Sequence, residues 1–414
     1  MNAIIQTFTL SALLLNSGYS ADWPAFRGPT GDGVSTETSA PIRWSGTENI
    51  QWATPLPQPG NGSPIVVGQQ VLLTSVEDAD GLQRSLYSFD TDTGKQQWVQ
   101  TVVLEQKMPT HKTNPYGAST PASDGKHVVV WHGSGGLHAY SMTGKPTWHR
   151  GYGKFQHMWG YANSPVIHEG KVILYTGPGM ERSFVTVLDL ETGKTIWEKD
   201  EPFTGNGEKN DKGQYQGSWC TPTIHGGRVL LAMPTRINAY ELADGALAWT
   251  CSGVAHDRGD LGYSSLLLCD DLVFYTGGFR GPMLAVKTTG SEDVTDSRLY
   301  RIEKQPQSIG SGVFVDGLVY RPNAGPGTID CIDPKTGEIR WSERAGDAFW
   351  ASIIRVGDHL YATSQSGQTT VFKANPDQLE TVAVNSLQDR MNATPAPANG
   401  RLYLRGFKKL YCVE

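Results

Sequence analysis

Charge is scarce in this 414-residue chain and leans negative. Thirty-five Lys and Arg stand against 41 Asp and Glu, a formal −6, and only 18% of residues are charged. No cationic field exists to hold a phosphate backbone, so nucleic acid is excluded as a partner. Cysteine is also sparse. Cys220, Cys251, Cys269, Cys331 and Cys412 are odd in number and far apart, and none forms a Cys-x-x-Cys pair. Neither a metal site nor a disulfide framework is expected, and at least one thiol stays unpaired within the chain. No later apolar run approaches the ~18 residues of a spanning helix, so no transmembrane segment is expected. The common catalytic fingerprints are missing too. Gly-x-Gly pairs lack the third Gly of a dinucleotide loop, and Leu188 stands where a P-loop ending in Gly193-Lys194-Thr195 needs Gly. Gly-x-Ser-x-Gly and His-Glu-x-x-His do not occur. Only a triad assembled from distant loops stays open.

Turn formers and aromatics are plentiful: 48 Gly, 24 Pro, 12 Trp, 16 Tyr and 12 Phe. That mixture excludes disorder and points to a turn-rich all-β protein. Phe8 to Leu15 form a short apolar stretch, and small residues lead to Ala21. Residues 1–21 therefore read as a cleavable export signal, 22–48 as an N-terminal extension and 49–414 as the folded domain. The expected location is periplasmic or extracellular. The first Cys is Cys220, so no lipid anchor is expected.

An internal repeat defines the architecture. Asp90-Thr-Asp-Thr-Gly-Lys-Gln-Gln-Trp98 recurs as Asp189-Leu-Glu-Thr-Gly-Lys-Thr-Ile-Trp197 and Asp333-Pro-Lys-Thr-Gly-Glu-Ile-Arg-Trp341, with looser copies ending at Trp148 and Trp249. Each is a hairpin in which Asp binds turn amides, Gly supplies positive φ and the closing Trp packs on the neighbouring sheet. Trp52, Trp98, Trp148, Trp197, Trp249 and Trp341 are therefore structural anchors. A second pattern opens each unit: Ser63-Pro64, Thr120-Pro121, Ser164-Pro165 and Thr221-Pro222, with Pro where a strand begins. A period of about 50 residues is that of propeller blades. The last unit, from Thr394-Pro395, has room for three strands, and an orphan strand at 49–54 precedes the first unit. The expectation is an eight-bladed β-propeller of four-stranded antiparallel blades, closed by the N-terminal strand.

The Asp-x-x-Thr-Gly-Lys-x-x-Trp hairpins resemble the repeats of the pyrroloquinoline quinone (PQQ) propellers, a group that includes quinoprotein dehydrogenases and the assembly factor BamB. The opening Trp23-Pro-Ala-Phe-Arg-Gly-Pro-Thr-Gly-Asp-Gly33 is similar to the N-terminal signature of exported BamB-like propellers of planctomycete-type bacteria. So are His111-Lys-Thr-Asn114, Gly177-Pro-Gly-Met-Glu-Arg-Ser183, Gly217-Ser-Trp-Cys-Thr-Pro222 and Ile309-Gly-Ser-Gly312. The resemblance implies an exported propeller. It departs from the quinoprotein dehydrogenases, which carry adjacent cysteines and an acidic base beside a quinone and calcium.

Placing the opening strand innermost gathers the loops between units on one face, around a channel mouth. Candidate ligand-binding residues there are His111, Asn114, His157, Trp159, Trp219, Arg236, Arg280, Arg321 and Trp350, because aromatic and Arg side chains are common interface anchors. No catalytic residue is assigned. The expected function is that of a monomeric, non-catalytic, BamB-like propeller that binds a protein, peptide or glycan without a cofactor. The alternatives are a PQQ- and calcium-dependent oxidoreductase and a hydrolase or lyase using loop residues.

Overall fold

The computed structural model describes residues 22–414; the expected export signal, 1–21, lies outside the described residues. Blade 1 runs from the channel outward as Ile65–Val67, Gln70–Val76, Gln83–Asp90 and Gln96–Val103. Six further antiparallel blades follow in chain order, blade 2 over 122–150, blade 3 over 166–200, blade 4 over 223–252, blade 5 over 267–302, blade 6 over 313–344 and blade 7 over 354–386. Blade 8 takes Ala396–Ala398, Arg401–Arg405 and Lys409–Val413 from the end of the chain and its outermost strand, Ile50–Pro55, from near the start. There Trp52 pairs with Cys412 and Thr54 with Leu410. The ring is an eight-bladed, all-β propeller closed by its N-terminal strand.

Burial follows radial position. Second strands such as His127–Trp131 and Leu272–Thr276 are buried along their whole length, because a blade lies against each face. They are accordingly continuous apolar runs and do not alternate. Outermost strands such as Ile339–Arg344 bury one residue, Trp341, and expose the others.

The nine-residue repeat is a turn, a bulge and an inter-blade clasp. The Asp90 carboxylate accepts from the Thr93 amide at 2.9 Å and the Thr93 hydroxyl at 2.7 Å, and Asp189 does the same for Thr192. These bonds hold both carboxyls below the usual carboxylate range. A register shift then places one extra residue before the Trp, as between Ser88 and Phe89 or Val187 and Leu188. The anchor indoles donate to backbone carbonyls of the next blade: Trp98 to Met142, Trp148 to Leu190, Trp197 to Leu242, Trp249 to Thr288 and Trp341 to Asn375, at 2.7–3.2 Å. Blade 5 ends in Tyr300–Ile302 and lacks the Trp. Tyr300 replaces it, with its hydroxyl donating to the Pro334 carbonyl at 2.9 Å.

Blade 4 departs from the four-stranded expectation. Glu292–Asp293, in the excursion before the last strand of blade 5, pairs parallel with Leu247–Ser252. This fifth strand covers an otherwise open edge.

The segment after residue 21 is a strap across the channel. Trp23 pairs with Val66 of blade 1, the Pro24 carbonyl accepts from Ser123 of blade 2, and Val34 bridges to Arg355 of blade 7. Arg27 is buried and donates to the carbonyls of Gly31, Asp32 and, on blade 6, Gly312 at 2.6–3.0 Å. Burial lowers its pKa to about 10. Gly28 sits at φ +85 with the Trp23 ring 2.6 Å from where a Cβ would be, which is why Gly follows Arg in this motif.

Candidate ligand-binding cavity at the channel mouth

The residue two positions before every innermost strand carries a hydroxyl. Ser63, Thr120, Ser164, Thr221, Ser265, Ser311, Ser352 and Thr394 all line one central cavity of about 570 Å³. Six of the eight hydroxyls accept the backbone N–H of the equivalent residue in the preceding blade at 2.9–3.0 Å. Among the described residues, the girdle is unlinked only on the two sides of Thr221. The Pro that follows five of these hydroxyl residues has no N–H, so the channel edge of the sheets presents few free donors.

Strand periodicity builds a second tier. Residues two positions before each hydroxyl point the same way, and Asn61, Ala118, Ala162, Trp219, Tyr263, Ile309, Trp350 and Asn392 all line the cavity. Taken around the ring, the tier is lopsided. Blades 4 to 7 supply an apolar arc of Trp219, Tyr263, Ile309 and Trp350, whereas blades 8 and 1 supply Asn392 and Asn61. The short Ala118 and Ala162 of blades 2 and 3 are accompanied by His111, Thr113 and Asn114 from the connection between blades 1 and 2. Phe26 of the strap also lines the cavity, which makes it a cup with a floor.

Both arcs are held rigidly. The amides form a relay in which Gln365 donates to Asn392 at 2.8 Å, Asn392 to Asn61 at 2.9 Å and Asn61 to Asn114 at 3.0 Å. Asn114 then donates to the Trp159 carbonyl at 2.7 Å. On the aromatic side, Trp219 lies 5.8 Å from Trp159 and 5.6 Å from Tyr263 between ring centres, and its Nε1 donates to Gly160 at 2.9 Å. Trp159 lies 4.7 Å from Tyr215.

The structure thus brings His111, Asn114, Trp159, Trp219 and Trp350 to one cavity. His157 lies one layer behind it, buried, edge-on to Trp219 at 5.0 Å. Its Nδ1 accepts from the Trp159 amide, so Nε2 carries the proton and donates to Gln216 O at 3.1 Å. Burial lowers its pKa, and the neutral ring supports the aromatic wall. The three arginines do not line the cavity. Arg236 sits in a separate cleft of about 290 Å³, paired with buried Glu201 at 2.9 Å. Arg321 is fully buried and ion-paired with Asp330. Arg280 is exposed in an annex beside the mouth. Sequence reasoning missed Asn61, Tyr263 and Asn392. The signal for all three was their place two residues before a girdle hydroxyl.

No Asp, Glu or Cys is among the residues that line the cavity. The five cysteines are free and buried, and no cluster of three or more His, Cys, Asp or Glu that could hold a metal occurs among the described residues. The donor set therefore fits neither a calcium-bound quinone nor a carboxylate base. His111 is engaged with the Thr113 hydroxyl at 2.7 Å, and no girdle hydroxyl is its partner.

A family model described as "Outer membrane protein assembly factor BamB" matches residues 42–116 and 105–343. The chain belongs to this family. No curated protein matches it. Among solved structures it is similar to BamB from Moraxella catarrhalis, at 15% identity and TM-score 0.63, covering 88% of this chain and 99% of that one. It is also similar to quinohemoprotein alcohol dehydrogenase from Comamonas testosteroni, at 14% identity and TM-score 0.67, covering 95% and 80%. A europium-containing methanol dehydrogenase matches at 12% identity and TM-score 0.69, covering 94% and 90%. At such identities the likeness shows the fold, and it spans both assembly factors and dehydrogenases. Among the described residues no helix is long and apolar enough to cross a membrane.

Proposed function

We propose that this BamB-family propeller is an exported, non-catalytic binding protein that takes a peptide or glycan in the cup at its channel mouth, without a quinone. The supporting observation is the lopsided second tier: a rigid aromatic arc faces a hydrogen-bonded amide relay, Phe26 of the strap lines the same cavity, and no carboxylate does. A cavity of this size, mostly apolar with a few fixed polar groups, is the usual form of a small-ligand site. No Asp, Glu or Cys lines the cup to serve as a carboxylate base or thiol nucleophile, which supports the binding reading.

The test is a screen of peptides and oligosaccharides followed by variants. Trp219→Ala and Trp350→Ala should each weaken binding of the hit by about 1–2 kcal/mol, whereas Lys95→Ala with Lys194→Ala, on the opposite face, should leave it unchanged. Unchanged affinity in both Trp variants would remove the cavity as the site. Added PQQ with calcium should produce no dye reduction with alcohols or sugars. Stoichiometric uptake and turnover would instead favour the dehydrogenase reading.

A further inference from the structure

Beside the cup lies a second cavity of about 570 Å³ that shares Arg258, Phe279 and Gln307 with it. This annex is cationic although the chain as a whole is anionic. Arg258, Arg280 and Lys304 line it together with His256, and no Asp or Glu does. All three long cations are exposed, and among the described residues none is in an ion pair. The Arg280 guanidinium lies 5.9 Å from the centre of the Phe279 ring. In sequence the nearest carboxylates are Asp257, Asp260 and Glu303; none lines the annex, Asp260 accepts from Asn210 and Glu303 is held by Arg301. Three like charges around one hollow repel one another unless an anion lies between them.

The chemistry of the adjoining cup narrows the rest of the ligand. An extended peptide would add to a sheet edge through its main chain. Here the girdle occupies six of the eight N–H groups at its own positions, and Pro removes the next N–H in five of the eight blades. A polyhydroxylated ring suits the cup better. Its C–H faces can lie on Trp219, Tyr263 and Trp350, and its hydroxyls can meet Ser and Thr hydroxyls that already use one acceptor position and keep a proton to donate.

We propose that the cup and annex together bind a saccharide carrying an anionic group, with a sugar ring on the aromatic arc and its carboxylate or sulfate among Arg258, Arg280 and Lys304. The shared chemistry is a planar or tetrahedral oxyanion, which a guanidinium meets with two parallel N–H bonds. This rests on the cup being the binding site.

The experiment is calorimetric titration of the full chain with trigalacturonate, a sulfated galactose trisaccharide, neutral galactotriose and an acidic peptide of the same charge. At least one anionic trisaccharide should bind about tenfold or more tightly than the neutral one, and added salt should reduce the difference. The variant Arg258→Ala/Arg280→Ala/Lys304→Ala should bring the anionic sugar down to the neutral level at an unchanged melting temperature. Arg258→Lys/Arg280→Lys should keep much of the preference. Which trisaccharide responds separates carboxylate from sulfate. Equal binding of charged and neutral sugars, or a triple variant that keeps its preference, would overturn the annex as a site. Retained sensitivity to Trp219→Ala would then leave the cup standing. Binding of the acidic peptide alone, or of none of the sugars, would overturn the saccharide.

Discussion

The indole of Trp52 lies against Gly94: a Cβ added at Gly94 would fall 2.5 Å from the ring, and Trp52 Nε1 donates to the Thr91 carbonyl at 2.9 Å. Trp52 belongs to the closing strand and Gly94 to the first hairpin turn. The Trp clasp that joins five other pairs of neighbouring blades therefore also joins the two ends of the ring.

Gly94→Ala should destabilise the protein by about 2–4 kcal/mol, because the methyl would displace the indole and the backbone is at φ +65. Gly170→Ala is the control. Gly170 has φ +70 but open space where the methyl would go, so only the backbone cost of about 1 kcal/mol applies. Chemical denaturation of the two variants gives the difference, and equal losses would mean that the contact with Trp52 carries no weight.

Deleting residues 1–56 should expose the unpaired edge of Lys409–Val413 and cause aggregation or a large fall in melting temperature. Deleting 1–21 alone should do neither. Size-exclusion chromatography with thermal melting decides it: a 57–414 chain that stays monomeric and equally stable would refute closure by the N-terminal strand.

Arg321→Ala should cost about 3–5 kcal/mol, since it strands the Asp330 carboxylate, itself 1% exposed, without its cation. Replacing both members with apolar residues of similar volume should recover much of that loss. Ligand affinity per folded molecule should not change, because neither residue lines the cavity.

Glu201 supplies a pH signature. Burial raises its pKa from 4.5 to about 7 against the opposing pull of Arg236. The folded state thus holds a proton between roughly pH 4.5 and 7 that the unfolded chain releases, so this group stabilises most at the acid end and its contribution is lost as pH rises through 7. Comparing denaturation midpoints of wild type and Glu201→Gln at pH 5 and pH 8 should show a differential of about 2 kcal/mol. Parallel pH profiles would show that Glu201 stays ionised throughout.

The sequence made the ring legible because its repeat couples neighbouring blades: Asp, Gly and Trp recur where the turn, the close approach and the clasp need them. The missing Trp of blade 5 was visible, but Tyr300 as its replacement was not, since a Tyr in a strand gives no sign of which carbonyl it reaches. The aromatic side of the cup was readable from Trp159, Trp219 and Trp350 standing just before inner strands. Of its amide side only Asn114 was named, because its partners Asn61, Asn392 and Gln365 lie up to hundreds of residues apart and meet only after the ring closes. Arg236 and Arg321 were placed at the mouth by loop position alone. A position in a loop cannot reveal a buried carboxylate such as Glu201 or Asp330.

The strap from Trp23 to Val34 grips blades 1 and 2 on one side of blade 8 and blades 6 and 7 on the other. A ring fastened only by hydrogen bonds between Ile50–Pro55 and Lys409–Val413 would breathe open at that junction, one pair at a time. With a second, covalently continuous tie spanning the same junction, either fastening keeps the ends in register while the other is momentarily broken, so rejoining is faster than escape. The amides of Val66, Arg355 and Cys412 should then exchange with solvent hydrogen together, in one rare global event, and the barrier to unfolding should be high even if the equilibrium stability is ordinary.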